Sequence, residues 1–108
     1  MILLAVAGFV RNATSGELSF FQVISDTGSV VNGLDRARSL AISPDGEQVY
    51  VASMDADSLT VYDRNPNTGN LSFIEIHRDG FGGVNGLDGA HAVAVSPDGR
   101  HVYAAGSA

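Results

Sequence analysis

Apolar residues in this chain fall in short alternating or nearly continuous runs, separated by clusters of Gly, Pro, Asn, Asp and Ser. No segment sustains the 3.6-residue spacing of an amphipathic helix, so the pattern predicts strands joined by turns. Arg38–Ser43 reads as a first strand, with small and β-branched residues on both faces. Glu47–Ser53 reads as a second, centred on Val49-Tyr50-Val51. Between them, Ser43-Pro44-Asp45-Gly46 is a tight turn. Pro fixes φ at its second position, Asp bonds its own backbone, and Gly takes the strained end. Ser58–Asp63 is a third strand, entered through Asp55-Ala56-Asp57. Leu71–His77 is a fourth, with Leu71 and Phe73 alternating with Ser72 and Glu75. Asn65-Pro66-Asn67-Thr68-Gly69-Asn70 supplies the turn before it. A Gly-rich connection, Asp79-Gly80-Phe81-Gly82-Gly83, follows it.

The pattern is written twice. Asn32-Gly33-Leu34-Asp35 returns as Asn85-Gly86-Leu87-Asp88, Ser43-Pro44-Asp45-Gly46 as Ser96-Pro97-Asp98-Gly99, and Val49-Tyr50 as Val102-Tyr103, each 53 positions later. Residues 1–55 align on 54–108 without a gap, with 22 of 55 pairs identical, among them Arg11-Asn12 with Arg64-Asn65 and Asp26 with Asp79. A fixed period of this size marks one structural unit copied. Four antiparallel strands in a unit of roughly 40–50 residues is the arithmetic of a propeller blade. A parallel β-helix would need a shorter coil, and a sandwich would not copy itself in register. The repeat therefore predicts an all-β propeller segment made of four-stranded antiparallel blades. The single segment 1–108 carries repeat units at approximately 1–55 and 54–108. Within them, residues 1–25 hold third and fourth strands, 36–78 a full blade, and 89–108 first and second strands.

The repeat also governs the reading of the N-terminus. Ile2 to Val10 is an apolar run too short to span a bilayer. No basic segment precedes it and the cleavage signal is poor, so a signal peptide is not indicated. Ala5-Val6-Ala7-Gly8-Phe9 aligns with Ser58-Leu59-Thr60-Val61-Tyr62 and reads as a strand. Composition narrows the partners. The chain has 108 residues and is 44% hydrophobic, enough for one packed domain. A formal net charge of −6 with six basic residues argues against nucleic acid and anionic membranes as partners. The absence of cysteine rules out disulfides and thiolate metal sites and leaves the compartment open.

Ala94-Val95-Ser96-Pro97-Asp98-Gly99-Arg100-His101-Val102-Tyr103-Ala104-Ala105 resembles the recurrent turn-and-strand element of YVTN-type propellers, as does Ala41 to Ser53. Asp57-Ser58-Leu59-Thr60-Val61-Tyr62 and Thr68-Gly69-Asn70-Leu71-Ser72-Phe73 are similar to the next two strands of the lactonase-like propeller family. The resemblance covers the whole chain. It implies a propeller fold, and it implies function only weakly, because such motifs are turn and strand chemistry shared by many propellers. Members of the resembled family close a complete ring, typically of seven blades, in one chain. Two blades' worth of strands cannot close a ring, which points to completion by oligomerisation or to a piece of a longer protein. The C-terminal strand pair of one chain can meet the N-terminal pair of the next head to tail, and cyclic symmetry then gives six blades in a trimer or eight in a tetramer.

Candidate chemistry gathers at the start of the first strand. Arg38 aligns with His91, and both follow the step that opens that strand, which in a propeller lines the channel. A closed ring would alternate them around one mouth, a partly cationic collar fit for a carboxylate, phosphate or sugar-like ligand. The competing assignment pairs Arg38 with Asp35 and His91 with Asp88 as structure. Asp35 and Asp88 could act as general bases or hold a cation, but carboxylates repeated in every blade more simply cap turn N–H groups. His77 and His101 do not repeat their chemistry and read as surface residues. Asp55-Ala56-Asp57 lacks the remaining ligands of a calcium loop, and its partner segment Ile2-Leu3-Leu4 offers no oxygen. Asn12-Ala13-Thr14 and Asn70-Leu71-Ser72 are formal glycosylation acceptors. No metal and no cofactor is expected. The residues thus favour a non-catalytic, self-assembling binding or scaffold propeller. The alternatives are a lactonase-like hydrolase acting on a sugar lactone at the channel mouth, and a fragment without independent function.

Overall fold

A computed structural model describes residues 5–25 and 34–107. Among these residues every regular element is a strand. In chain order they are β1 (Ala5–Arg11), β2 (Leu18–Ser25), β3 (Ala37–Ile42), β4 (Gln48–Ser53), β5 (Ser58–Arg64), β6 (Leu71–Arg78), β7 (Ala92–Val95) and β8 (Val102–Ala105). They form three antiparallel sheets, β1-β2, β3-β4-β5-β6 and β7-β8, each joining sequence neighbours. The repeated Asn32-Gly33, Asp26, and the Ile2-Leu3-Leu4 segment lie outside the described residues. Among the described residues no helix is long and apolar enough to cross a membrane.

The hairpin turns are built by side chains. In the Ser43 turn, the Gly46 N–H donates to the Ser43 carbonyl at 2.9 Å, with Gly46 at φ 77°. The Ser43 hydroxyl donates to Asp45 Oδ1 at 2.6 Å and accepts from the Gln48 N–H at 3.0 Å. Asp45 Oδ1 also accepts from the Glu47 N–H at 2.9 Å. The Ser96 turn repeats this network on Asp98, Arg100 and His101. Turns at Asn12 and Asn65 are closed by the Asn carboxamide oxygen, which accepts two backbone N–H groups in each case.

The central sheet is covered on both faces. Val49, Val51 and Tyr62 share one face with Leu34, against which Val6, Ile24 and Leu71 pack. Ala52 on the other face meets Leu87 and Ala90, with Val93 and Ala104 behind them. The alternation of β4 therefore places Val49 and Val51 toward β1-β2, and Ala52 toward β7-β8. Each fully buried Val or Leu contributes about 1.5–3 kcal/mol of transfer free energy, so these facing layers hold the three sheets in a stack.

The β1-β2 sheet is locked by a bulge. Gly8 pairs with Gln22 and Phe9 with Phe20, which leaves Phe21 as the extra residue. β5-β6 carries the same irregularity one repeat later, with Ile74 extra between Glu75 and Phe73. The bulge lets two consecutive side chains reach the central sheet. The Gln22 carboxamide accepts from the Leu71 N–H at 2.9 Å and donates to the Leu71 carbonyl at 3.2 Å. The Phe21 ring lies against Gly69 in the turn before β6.

Candidate functional site at the open end of the inner strands

β3 and β7 are the inner strands of neighbouring sheets, each forming one edge. They run side by side, and the Val93 N–H donates to the Ser39 hydroxyl at 3.3 Å. Arg38 and His91 stand at the beginnings of these strands, at one end of the molecule. Arg38 is itself a bulge: Ala37 pairs with Ser53 and Ser39 with Ala52, so Arg38 has no partner residue on β4. A bulge re-aims its side chain and bends the strand. The Arg38 guanidinium is exposed, and its Nη1 donates to Met54 Sδ at 3.6 Å. The positive charge is thus held by a soft, uncharged partner.

His91 is exposed just before β7. Its N–H donates to the Ala105 carbonyl at 2.9 Å, and its ring Nδ1 lies 3.1 Å from the Gly89 carbonyl. A carbonyl only accepts, so this contact places a ring proton on Nδ1.

Among the described residues, the bonds that Asp35 and Asp88 make run through their backbone carbonyls. Asp35 works through its backbone, its carbonyl accepting from the Asp55 and Ala56 N–H groups at 3.1 and 3.2 Å. The Asp88 carbonyl accepts from the Ser107 N–H at 2.9 Å. The expected structural pairs, Arg38 with Asp35 and His91 with Asp88, are not formed. Among the described residues the salt bridges are Arg36–Asp55, at 3.4 Å, and His77–Glu75. Arg36, at φ 56° immediately before β3, pairs with Asp55, while Arg38 sits on the bulge two residues on.

The caps of the Asn85-Gly86-Leu87-Asp88 loop come from two residues that sequence reasoning did not select. Asp79 Oδ1 accepts from both the Gly86 and Leu87 N–H groups at 2.9 Å. Asp57 Oδ1 accepts from the Gly89 N–H at 2.7 Å, across 32 positions of sequence. The recurrence of Asp26 as Asp79 was the available signal for the first. For Asp57 there was none, since its repeat partner is Leu4. Asp55 and Asp57, read as a weak calcium-loop likeness, are occupied by Arg36 and Gly89 respectively.

His77 and His101 lie on the surface, His77 against Glu75 and His101 over the Tyr103 ring at 6.2 Å between centroids. A separate cleft of about 460 Å³ opens between β1 and the β3-β4 face, lined by Gly8, Phe9, Phe21, Leu40, Ile42 and Arg64 among others.

One four-stranded antiparallel sheet stacked between the two-stranded sheets β1-β2 and β7-β8 is the arrangement of a β-propeller segment. The family described as "Lactonase, 7-bladed beta-propeller" matches residues 4–82, and the chain belongs to that family. A 6-phosphogluconolactonase of Bacillus subtilis (strain 168) is 33% identical over 64 residues, covering 59% of this chain. The matched part is 18% of that relative's length, so the chain spans only a small part of it. Among solved structures, a protein from Lactobacillus plantarum aligns with a TM-score of 0.71 at 22% identity, over 93% of this chain and 28% of its own. A 6-phosphogluconolactonase candidate from Bacteroides uniformis aligns with a TM-score of 0.71 at 19% identity, over 96% and 28%. One from Bacteroides fragilis gives 0.68 at 20% identity, over 94% and 26%. At these identities the structural likeness establishes the fold.

Proposed function

We propose that this chain contributes inner strands to a lactonase-type propeller that hydrolyses a phosphorylated sugar lactone at the channel mouth. The observation that carries this reading is the family match over residues 4–82, which favours hydrolysis over the non-catalytic scaffold expected from the residues alone. The name of the Bacillus subtilis relative supplies the substrate class. The geometry fits an anionic substrate. Arg38 stands on a bulge with no carboxylate partner among the described residues, and His91 opens the neighbouring inner strand.

In this scheme the Arg38 guanidinium donates to the phosphate, and His91 donates to it from Nε2 as the imidazolium, its Nδ1 proton staying on the Gly89 carbonyl. Asp35 or Asp88 takes a proton from water as its oxygen adds to the lactone carbonyl carbon. The ring C–O bond then breaks, giving a carboxylic acid and a hydroxyl group, and the proton returns to the departing alkoxide. Loss of one charge-assisted contact is worth about 1.5–3 kcal/mol, or roughly 10- to 150-fold in kcat/KM.

The test is hydrolysis of 6-phosphogluconolactone, and of its non-phosphorylated counterpart, above the spontaneous rate. Arg38→Ala and His91→Ala should lower turnover of the phosphorylated lactone far more than that of the neutral one. No turnover of either lactone by the folded protein would remove the hydrolase reading and return the binding-module reading to first place.

A further inference from the structure

We infer that Asp57 is a positioning residue for the His91 ring, acting on it through Gly89 from the neighbouring sheet. The role rests on the phosphate-binding reading of His91 and adds the group that aims its ring. Two hydrogen bonds make the link. The Asp57 carboxylate, in the turn between β4 and β5, accepts from the Gly89 N–H at 2.7 Å. The Gly89 carbonyl accepts in turn from Nδ1 of His91, at 3.1 Å. Gly89 is buried, and the Ala90 N–H after it donates to the Leu87 carbonyl at 3.1 Å. The peptide units on both sides of Gly89 are therefore held. The backbone of His91 is fixed as well, since its own N–H donates to the Ala105 carbonyl at 2.9 Å. Orientation of the exposed ring is left to the Nδ1 bond, which is only as well placed as Gly89. A ring tethered at Nδ1 presents Nε2, on its far edge, to a ligand.

Asp57 is itself anchored. Its φ is 51°, in the left-handed region that Asp and Asn enter more readily than other side chains. Its own carbonyl accepts from the Asp79 N–H at 2.9 Å. One residue thus ties down both ends of the connection between β6 and β7, Asp79 through its backbone and Gly89 through its carboxylate. The repeat separates this role from plain architecture. Asp79, which caps the same loop, recurs as Asp26. Asp57 does not recur: its counterpart is Leu4, in the unit whose inner strand carries Arg38 in place of His91. Gly89 corresponds to Arg36, and both take left-handed backbone, at φ 65° and 56°. The left-handed step before an inner strand therefore does not call for a carboxylate at that position, and the carboxylate goes with the histidine. The chemistry of the two side chains gives the reason. A guanidinium is always charged and offers five N–H donors, whereas an imidazole offers two nitrogens and must be turned to present the right one.

Two variants of the 108-residue chain test it. Asp57→Gly removes the carboxylate and accommodates the left-handed backbone without strain. Asp57→Asn keeps both the backbone preference and an oxygen for the Gly89 N–H. Nitrogen-15 spectra of the ring nitrogens at about pH 9, where an imidazole is neutral, show which nitrogen carries the proton. In the parent chain His91 should hold it on Nδ1. In Asp57→Gly it should be shared between Nδ1 and Nε2, and in Asp57→Asn it should return to Nδ1. His77 and His101 lie elsewhere on the surface and should keep their spectra in all three proteins. A titration with inorganic phosphate at about pH 6, where an imidazole is largely protonated, should find binding at His91 several-fold weaker in Asp57→Gly and restored in Asp57→Asn. Unchanged His91 spectra in a folded Asp57→Gly chain would overturn the inference. So would equal shifts at all three histidines, which mark general loosening, or an Asn variant that behaves like the Gly variant. Equal phosphate affinity in Asp57→Gly and a phosphate-binding parent would overturn it as well. A parent chain that binds no phosphate would instead remove the phosphate reading of the site, with the ring spectra still deciding what Asp57 does to His91.

Discussion

The ring of Phe21 occupies the space that a side chain at position 8 would fill. A Cβ built on Gly8 would fall 2.7 Å from Phe21 Cζ, closer than such contacts occur. One repeat later the same two positions hold Val61 and Ile74, a larger residue facing a smaller one. The two blades solve one packing problem with opposite distributions of volume. Gly8→Val alone should therefore overpack the site and cost about 1–3 kcal/mol. Phe21→Ile alone should leave a cavity and is also expected to destabilise. The double variant reproduces the pair found in the second blade and should recover most of the loss. Urea unfolding of the two single variants and the double would show it as a coupling energy; strictly additive effects would contradict the account.

This pair marks the boundary of what the sequence made legible. The strands of the central sheet fall within one residue of the places indicated by hydrophobic runs and turn clusters, because both signals are local. The Ser-Pro-Asp-Gly turns were legible for the same reason. The bulges at Phe21, Arg38 and Ile74 were not, since they depend on cross-strand register. The partners of Arg38 and the Asp57–Gly89 bond were hidden for a related reason. They follow from the register shift of β3 on β4 and from the approach of one sheet to the next. Arg38 and His91 could be placed on adjacent inner strands from the repeat alone, but their release from Asp35 and Asp88 could not.

Asp79 holds the loop that leads to His91. Its Oδ1 accepts from the Gly86 and Leu87 N–H groups, and Leu87 is buried against Ala52 and Ala90. Asp79→Ala should leave both donors without that partner and cost about 1–3 kcal/mol. Asp79→Asn keeps an oxygen acceptor and should cost less. Amide hydrogen exchange offers the direct readout: the Gly86 and Leu87 amides should lose protection in the Ala variant, while amides in the middle of β5 keep theirs. Unchanged exchange at both loop amides would mean that the cap contributes nothing.

The two Ser-Pro-Asp-Gly turns make stability sensitive to acid. The Ser43 hydroxyl, followed by the Glu47 N–H, holds the Asp45 carboxyl below the ordinary value of 3.8. Ser96 and the Arg100 N–H do the same for Asp98. Both groups have a folded pKa depressed below the unfolded one. Their contribution is present above the unfolded value and is lost as pH falls through the folded value. The relevant window therefore lies from about pH 3.8 downward. Ser96→Ala removes the largest cause at Asp98 and should return its titration toward 3.8. The same change at Ser43, which is buried, should also cost stability at neutral pH, because the Gln48 N–H loses the hydroxyl it donates to. Carboxyl-carbon NMR titration of Asp45 and Asp98 follows the midpoints directly. In unfolding experiments below about pH 3.8, the Ser96→Ala variant should lose stability with a shallower slope than the parent chain. A parent Asp98 that titrates at or above 3.8 would show that the turn does not bind its carboxylate as described.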